Sequence, residues 1–196
     1  MSTRLEAQFA FLDEADRLKR ITRATPISDG SRRENSAEHS WHLALYALAL
    51  ADQAGPGVRI DRVIRMLLIH DLVEIDVGDV PIHAAQGAAH GSAEVQAAED
   101  AAACRIFGLL PGDQGAALLA LWREFEANET PDAVFAKSLD RVQPVLMNLA
   151  SGGGSWTEYQ VTWPQLQSRV GHKVARGAPA IWDWLQTRLR AFFPDA

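Results

Sequence analysis

One stretch constrains this chain more than any other: residues 63–75, VIRMLLIHDLVEI, are apolar enough to demand burial, yet they carry His70, Asp71 and Glu74. An ionised carboxylate left unpaired inside such a helix is strongly destabilising, so something must compensate it. Glu74 lies one turn beyond His70 and shares its face. Asp140 repeats the anomaly in AVFAKSLDRVQPVLMNLA, where Val134, Leu139, Val142, Val145 and Leu146 mark a core-facing helix. A single buried histidine is usually just hydrogen-bonded, because ligation needs several donors to converge. Three polar groups in one apolar helix and a fourth in another weaken that plain explanation.

Elsewhere apolar residues recur at helical spacing, and no β-branched run alternates for long enough to suggest a sheet, so the fold class is all-α. With 196 residues, 47% of them apolar, residues 1–196 form one domain of about seven or eight helices. A first helix over 3–22 carries the stripe Leu5, Phe9, Leu12, Ala15 and Leu18, and residues 25–31, with Pro26, Asp29 and Gly30, read as a loop. Asn35 and Glu38 have capping-box spacing and start a helix over 36–53. Asp61 is placed to cap the helix that runs to Ile75, and residues 78–90 read as a loop. Helices follow over 92–107, with Gly108 as its stop, and over 113–127. Thr130 with Pro131 at the first helical position opens another through Ala150, ended by Ser151-Gly152-Gly153-Gly154. Thr162 and Gln165 open a helix to Arg176, and a last one covers 179–193. The metal-site core then spans 32–150, and the helices of 162–193 pack on it. Trp156, Trp163, Trp182 and Trp184 in this tail most simply pack on the core, with a dimer contact as the alternative use of any surplus.

A net charge of −6 argues against nucleic acid or an anionic membrane as a partner, since both are held by a positive field. A small anionic ligand stays compatible with it. The single cysteine, Cys104, excludes an internal disulfide, and the first residues contain no uninterrupted apolar segment of the secretory kind. A cytoplasmic protein with no membrane span is expected.

His39 is the remaining donor of interest, on a face shared with Leu43, Tyr46 and Leu50. Two imidazoles with the carboxylates of Asp71 and Asp140 suit one divalent ion, Mn²⁺, Co²⁺, Fe²⁺, Mg²⁺ or Zn²⁺. Four protein ligands around an octahedral ion leave room for water and a substrate oxygen.

His39, then His70-Asp71, then Asp140 resemble the H…HD…D signature of the HD-domain metal phosphohydrolases. RRENSAEHSWHLAL, LLIHDLVEIDVGDVP and FAKSLDRVQPVLMN resemble more narrowly the 5′-deoxynucleotidase-like members. The resemblance implies an all-helical, commonly homodimeric fold that hydrolyses deoxyribonucleoside 5′-monophosphates to nucleoside and phosphate. It implies metal ligation by His39, His70, Asp71 and Asp140, and acid/base and substrate-site roles for Glu74 and Asp79. Where better-known nucleotidases of the group carry Arg-Trp after the first helix, this chain has Arg23-Ala24.

The chemistry fits independently. A phosphate monoester needs an activated nucleophile, charge neutralisation and a proton for the leaving oxygen. Glu74 can relay that proton, and Asp79 can orient water or contact the sugar. Arg23, Arg33 and Lys137 are the candidate cations for the substrate phosphate, against the alternative of solvated surface charge. His42 is expected at the edge of the site; His83 and His90 fall in a loop-like stretch with no second metal motif around them. Within the same chemistry the alternatives are another phosphate ester or a nucleoside polyphosphate. A different class of alternative is a module that binds metal and senses a nucleotide without turnover.

Overall fold

The longest helix, α7 (Pro131–Ala150), is the axis on which the rest is laid. Thr130 caps it by accepting from the Ala133 N–H, and Pro131 loses nothing at a position whose N–H has no helical partner. In the computed structural model, which describes residues 3–84 and 92–193, α7 buries Phe135, Leu139, Val142 and Val145 against its neighbours. Pro144 sits inside it and offers no N–H to the Asp140 carbonyl, so the ladder is broken beside a residue of interest.

Five further helices form the other layers. α2 (Ser36–Ala49) and α3 (Ile60–Ile69) pack on each other and on α7. α6 (Gly112–Ala127) packs on α3, α5 (Ala93–Phe107) and α7, and α1 (Arg4–Asp16) lies against α5. Leu43, Met66, Leu67, Phe107, Phe125, Phe135 and Leu139 are fully buried where these layers meet. Burial of such side chains contributes about 1.5–3 kcal/mol each before entropy is counted.

Four local features depart from the sequence expectations. The first helix gives way after Asp16 to one tight turn, and Thr22–Pro26 (β1) pairs antiparallel with Arg33–Asn35 (β2). Strands of five and three residues are too short to reveal a period of two. Asp61 is not the cap of α3; Arg59 is, and its backbone N–H and guanidinium both bond Asp132 at 2.7–3.1 Å. The apolar run does not continue as one helix to Ile75, because His70–Val73 tightens into a 3₁₀ turn before α4 (Glu74–Val77). Gly108 ends α5 in a right-handed conformation, φ −66°, so it is not the left-handed stop expected of it.

After α7, α8 (Gly154–Glu158), α9 (Trp163–Leu166), α10 (His172–Gly177) and α11 (Pro179–Phe192) wrap back over the axis, with one π turn, Gln167–Gly171, joining α9 to α10. Trp156, tilted against Phe192 and Phe193, and Trp182 are buried in this wrap, whereas Trp184 is exposed. No helix among the described residues is long and apolar enough to cross a membrane.

Candidate metal centre and its pocket

The capping box of α2 is complete: Asn35 accepts from the Glu38 N–H, and Glu38 accepts from the Asn35 N–H. This start puts His39 one turn inside the helix, fully buried against α7. Its Nε2 lies 3.1 Å from Asp140 Oδ1 and its Nδ1 3.0 Å from Gln143 Oε1. The Gln143 amide donates to Glu34 Oε1 at 2.8 Å, so its carbonyl is left to accept from His39 Nδ1–H. That contact fixes the tautomer and leaves the Nε2 lone pair facing the centre.

His70 is oriented in the same way by a different partner. Its Nδ1 donates to the Leu67 carbonyl at 2.8 Å, and its Nε2 faces Asp71 Oδ1 at 2.9 Å and Asp140 Oδ1 at 3.7 Å. Nε2 is then a buried lone pair without a hydrogen-bond donor. Ligand atoms of His39, His70 and Asp71 all lie within 4.8 Å of one another. Acceptors crowded this closely call for positive charge among them, either a proton on His70 Nε2 or a metal ion. Burial alone would depress the His70 imidazolium, but the carboxylates of Asp71 and Asp140 outweigh it and lift its pKa to about 10. The site therefore favours positive charge, and its nitrogen and carboxylate donors suit a divalent ion.

Beside the centre stands an acid cluster on α4 and the segment after it, closed by Arg23 from β1. Arg23 Nη1 lies 2.7 Å from Asp71 Oδ2, 3.4 Å from Glu74 Oε1 and 3.6 Å from Asp79 Oδ1. Despite burial, these three carboxylates hold its guanidinium firmly charged. Ser36 donates to Glu74 Oε2, and the Ala24 N–H to Asp79 Oδ2 at 3.3 Å. Burial, then the charge of Asp71, raises the Glu74 carboxyl well above the usual range; burial raises Asp79 too, with Arg23 opposing it. Asp71 is instead held down, to about 2: burial works against this, and His70 and Arg23 overcome it.

His70, Asp71, Glu74, Asp79, Arg23 and Asp140 line one cavity of about 340 Å³. Lys137 also lines it, paired with Glu126 at 3.0 Å and lying 4.3 Å over the Phe125 ring. Arg33 does not reach the cavity. The alternation of β2 turns Arg33 outward, where it pairs with Glu158 at 2.7 Å, and turns Glu34 inward. His42 lies off the centre, edge-on to Tyr46; His83 is buried in the cavity wall, and His90 falls outside the described residues. Sequence reasoning missed Glu34, Gln143, Ser36, Arg141 and Lys173. Gln143 carried a signal, since it follows Asp140 by one turn on the same face.

The model of the HD domain family matches residues 15–182. The chain belongs to the HD-domain family. Among HD-domain proteins of known structure it is similar to one described as a predicted metal-dependent phosphohydrolase from Magnetospirillum magnetotacticum. That protein is 45% identical, with a TM-score of 0.88 over 97% of this chain and 95% of the other. A protein from Pyrococcus horikoshii, 21% identical, shares the fold with a TM-score of 0.67 over 93% of this chain and 98% of the other. Among curated proteins it is similar to the human 5′-deoxynucleotidase HDDC2, 31% identical over 137 residues. The match takes in 69% of this chain and spans 64% of the human protein, slightly under two thirds of its length.

Proposed function

We propose that this HD-domain protein is a metal-dependent phosphomonoesterase that hydrolyses nucleoside 5′-monophosphates, of deoxyribose or ribose, to nucleoside and phosphate. The observation that carries this is the cluster of two oriented imidazoles and two buried carboxylates, three of which line one cavity, beside a buried acid with a raised pKa and a buried arginine. The similarity to 5′-deoxynucleotidases supports the nucleotide as substrate.

His39, His70, Asp71 and Asp140 would hold the ion, which when bound acidifies water and draws charge from the phosphoryl oxygens. Arg23, kept charged by three acids, can exchange part of that pairing for the phosphoryl oxygens of the substrate. As water adds to phosphorus and the P–O5′ bond breaks, the bonding pair leaves on O5′. Glu74 supplies the proton that O5′ takes up and recovers one from the attacking water. Asp79, tied to the Ala24 backbone, orients that water or the sugar.

The test is phosphate release with Mn²⁺ or Co²⁺ across ribo- and deoxyribonucleoside 5′-monophosphates, nucleoside polyphosphates and a non-nucleotide monoester. Release from the nucleoside monophosphates, abolished by EDTA, is expected. Bound metal with no release from any monophosphate overturns the assignment in favour of a sensing role.

A homodimer belongs to the same proposal. Trp41, Leu45 and Leu48 form an exposed apolar stripe on α2, and Leu45 lines a groove with Trp184 of α11, a face that a second copy would cover. Sedimentation velocity at micromolar concentration is expected to give twice the chain mass; a monomer there removes the dimer.

A further inference from the structure

The cavity has a second wall that neither the metal centre nor its acid cluster uses. Lys137 and Arg141 from α7, Lys173 from α10 and His83 all line it. Among the described residues, three acids stand near the lysines and Arg141. Glu126 pairs with Lys137, Glu99 lines the same cavity, and Asp140, 3.9 Å from Arg141 Nε, belongs to the metal centre. Lys173 makes no ion pair within 4.0 Å among the described residues, and it stands exposed at the mouth. Desolvation, then the charges of Arg141 and Lys137, pulls its pKa down to about 8, with Asp140 and Glu126 opposing them.

A second observation points the same way. Arg169 lies in the π turn Gln167–Gly171, a helix irregularity that recurs at functional sites, and its Nη1 approaches His83 Nδ1 at 3.1 Å. Guanidinium can only donate, so Nδ1 accepts and the His83 ring is neutral with its proton on Nε2. Burial, then Arg169 and Arg141, keeps it neutral by lowering its pKa to about 4. A buried ring held as a donor, lining the same cavity as a lysine with no ion pair among the described residues, is equipped for an oxyanion.

We infer that this wall is a second anion subsite, in which Lys173 and His83, backed by Arg141 and Arg169, take a second phosphoryl group of the bound nucleotide. The substrates favoured are thus nucleotides phosphorylated twice, and this rests on the nucleotide assignment proposed above. Both a nucleoside 3′,5′-bisphosphate and a nucleoside 5′-diphosphate carry that chemistry.

The experiment compares kcat/KM for one deoxynucleoside as its 5′-monophosphate, 3′,5′-bisphosphate and 5′-diphosphate, in the wild type and in Lys173→Gln. Equilibrium affinity of the metal-stripped protein for each compound is the second readout. One doubly phosphorylated compound is expected to exceed the monophosphate about tenfold in both readouts, the worth of one charge-assisted hydrogen bond. Whichever compound gains identifies where the second phosphate lies, and in Lys173→Gln the ratio should fall to near one. A ratio near one in the wild type overturns the subsite. So does an equal loss on all three compounds in Lys173→Gln, which would assign the lysine to the scissile phosphate. Turnover of the monophosphate with no gain from a second phosphate would leave the nucleotidase assignment standing alone. Lysine-dependent tight binding without any turnover would leave the subsite standing alone.

Discussion

Burial and the negative charge of Asp71 raise the Glu74 carboxyl well above the usual carboxylate range, while the Ser36 hydroxyl and Arg23 hold it in place beside the cavity. Glu74→Gln keeps the shape and the hydrogen-bonding reach of the side chain but removes the proton it can give. We expect metal content, read by elemental analysis, to stay at the wild-type level while kcat falls by about 10²–10⁴, the usual worth of general acid–base catalysis. Wild-type turnover in this variant would remove Glu74 from its role. Residues of this kind differed in how visible they were. His70, Asp71 and Asp140 stood out from sequence because polar groups in apolar helices are costly, and the same cost explains why each is partnered in the fold. Glu34 did not stand out, since Arg32, Arg33 and Glu38 around it look like a solvated surface. Only the outward turn of Arg33 on β2 tucks Glu34 against Gln143, and strand alternation over three residues leaves no trace in a helical pattern.

At the scale of elements, helix starts were the most legible features, because capping is local chemistry. Asn35 with Glu38, Thr130 with Pro131, and Thr162 with Gln165 all open helices where expected, although the one from Thr162 gives way after Leu166 to the π turn and α10 instead of running unbroken to Arg176. What local chemistry cannot announce is how closely two helices approach. A Cβ built on Gly177 would lie 2.3 Å from Ser138 Oγ and 2.6 Å from the Val134 carbonyl oxygen, so α10 rests on α7 with no room for a side chain. The Ser138 hydroxyl spans the same seam, 2.8 Å from the Val134 carbonyl and 3.2 Å from the Lys173 carbonyl. Gly177→Ala must lift α10 away, and such overpacking costs about 1–3 kcal/mol. A lower denaturant midpoint is expected, together with a weaker preference for doubly phosphorylated nucleotides, because Lys173 rides on the displaced helix. An unchanged midpoint would mean that the seam yields freely.

Across the whole molecule the candidate ligands come from parts of the chain far apart in sequence: His39 from α2, His70 and Asp71 from the turn after α3, and Asp140 from α7. Their meeting point was readable only through the family resemblance, since no spacing rule joins three helices, and here the shared packing of α2, α3 and α7 supplies it. Without a metal ion, the folded state holds Asp71 and Asp140 in a buried space only by pairing them with Arg23, His39 and His70. An ion that binds only the folded state therefore stabilises all three elements at once. At a concentration a hundredfold above its Kd this amounts to about 2.7 kcal/mol. For a chain of this size each kcal/mol moves the midpoint by roughly 2–4 °C, so Mn²⁺ should raise Tm by about 5–10 °C over the protein in EDTA. Asp71→Ala removes one ligand and the buried partner of Arg23 and His70 together. In that variant the Mn²⁺-dependent rise should vanish, and the Tm in EDTA should fall as well, because two buried cations lose their carboxylate. Identical melting of the wild type in Mn²⁺ and in EDTA, with no metal retained after dialysis, would show that the convergence of these four side chains serves the fold alone.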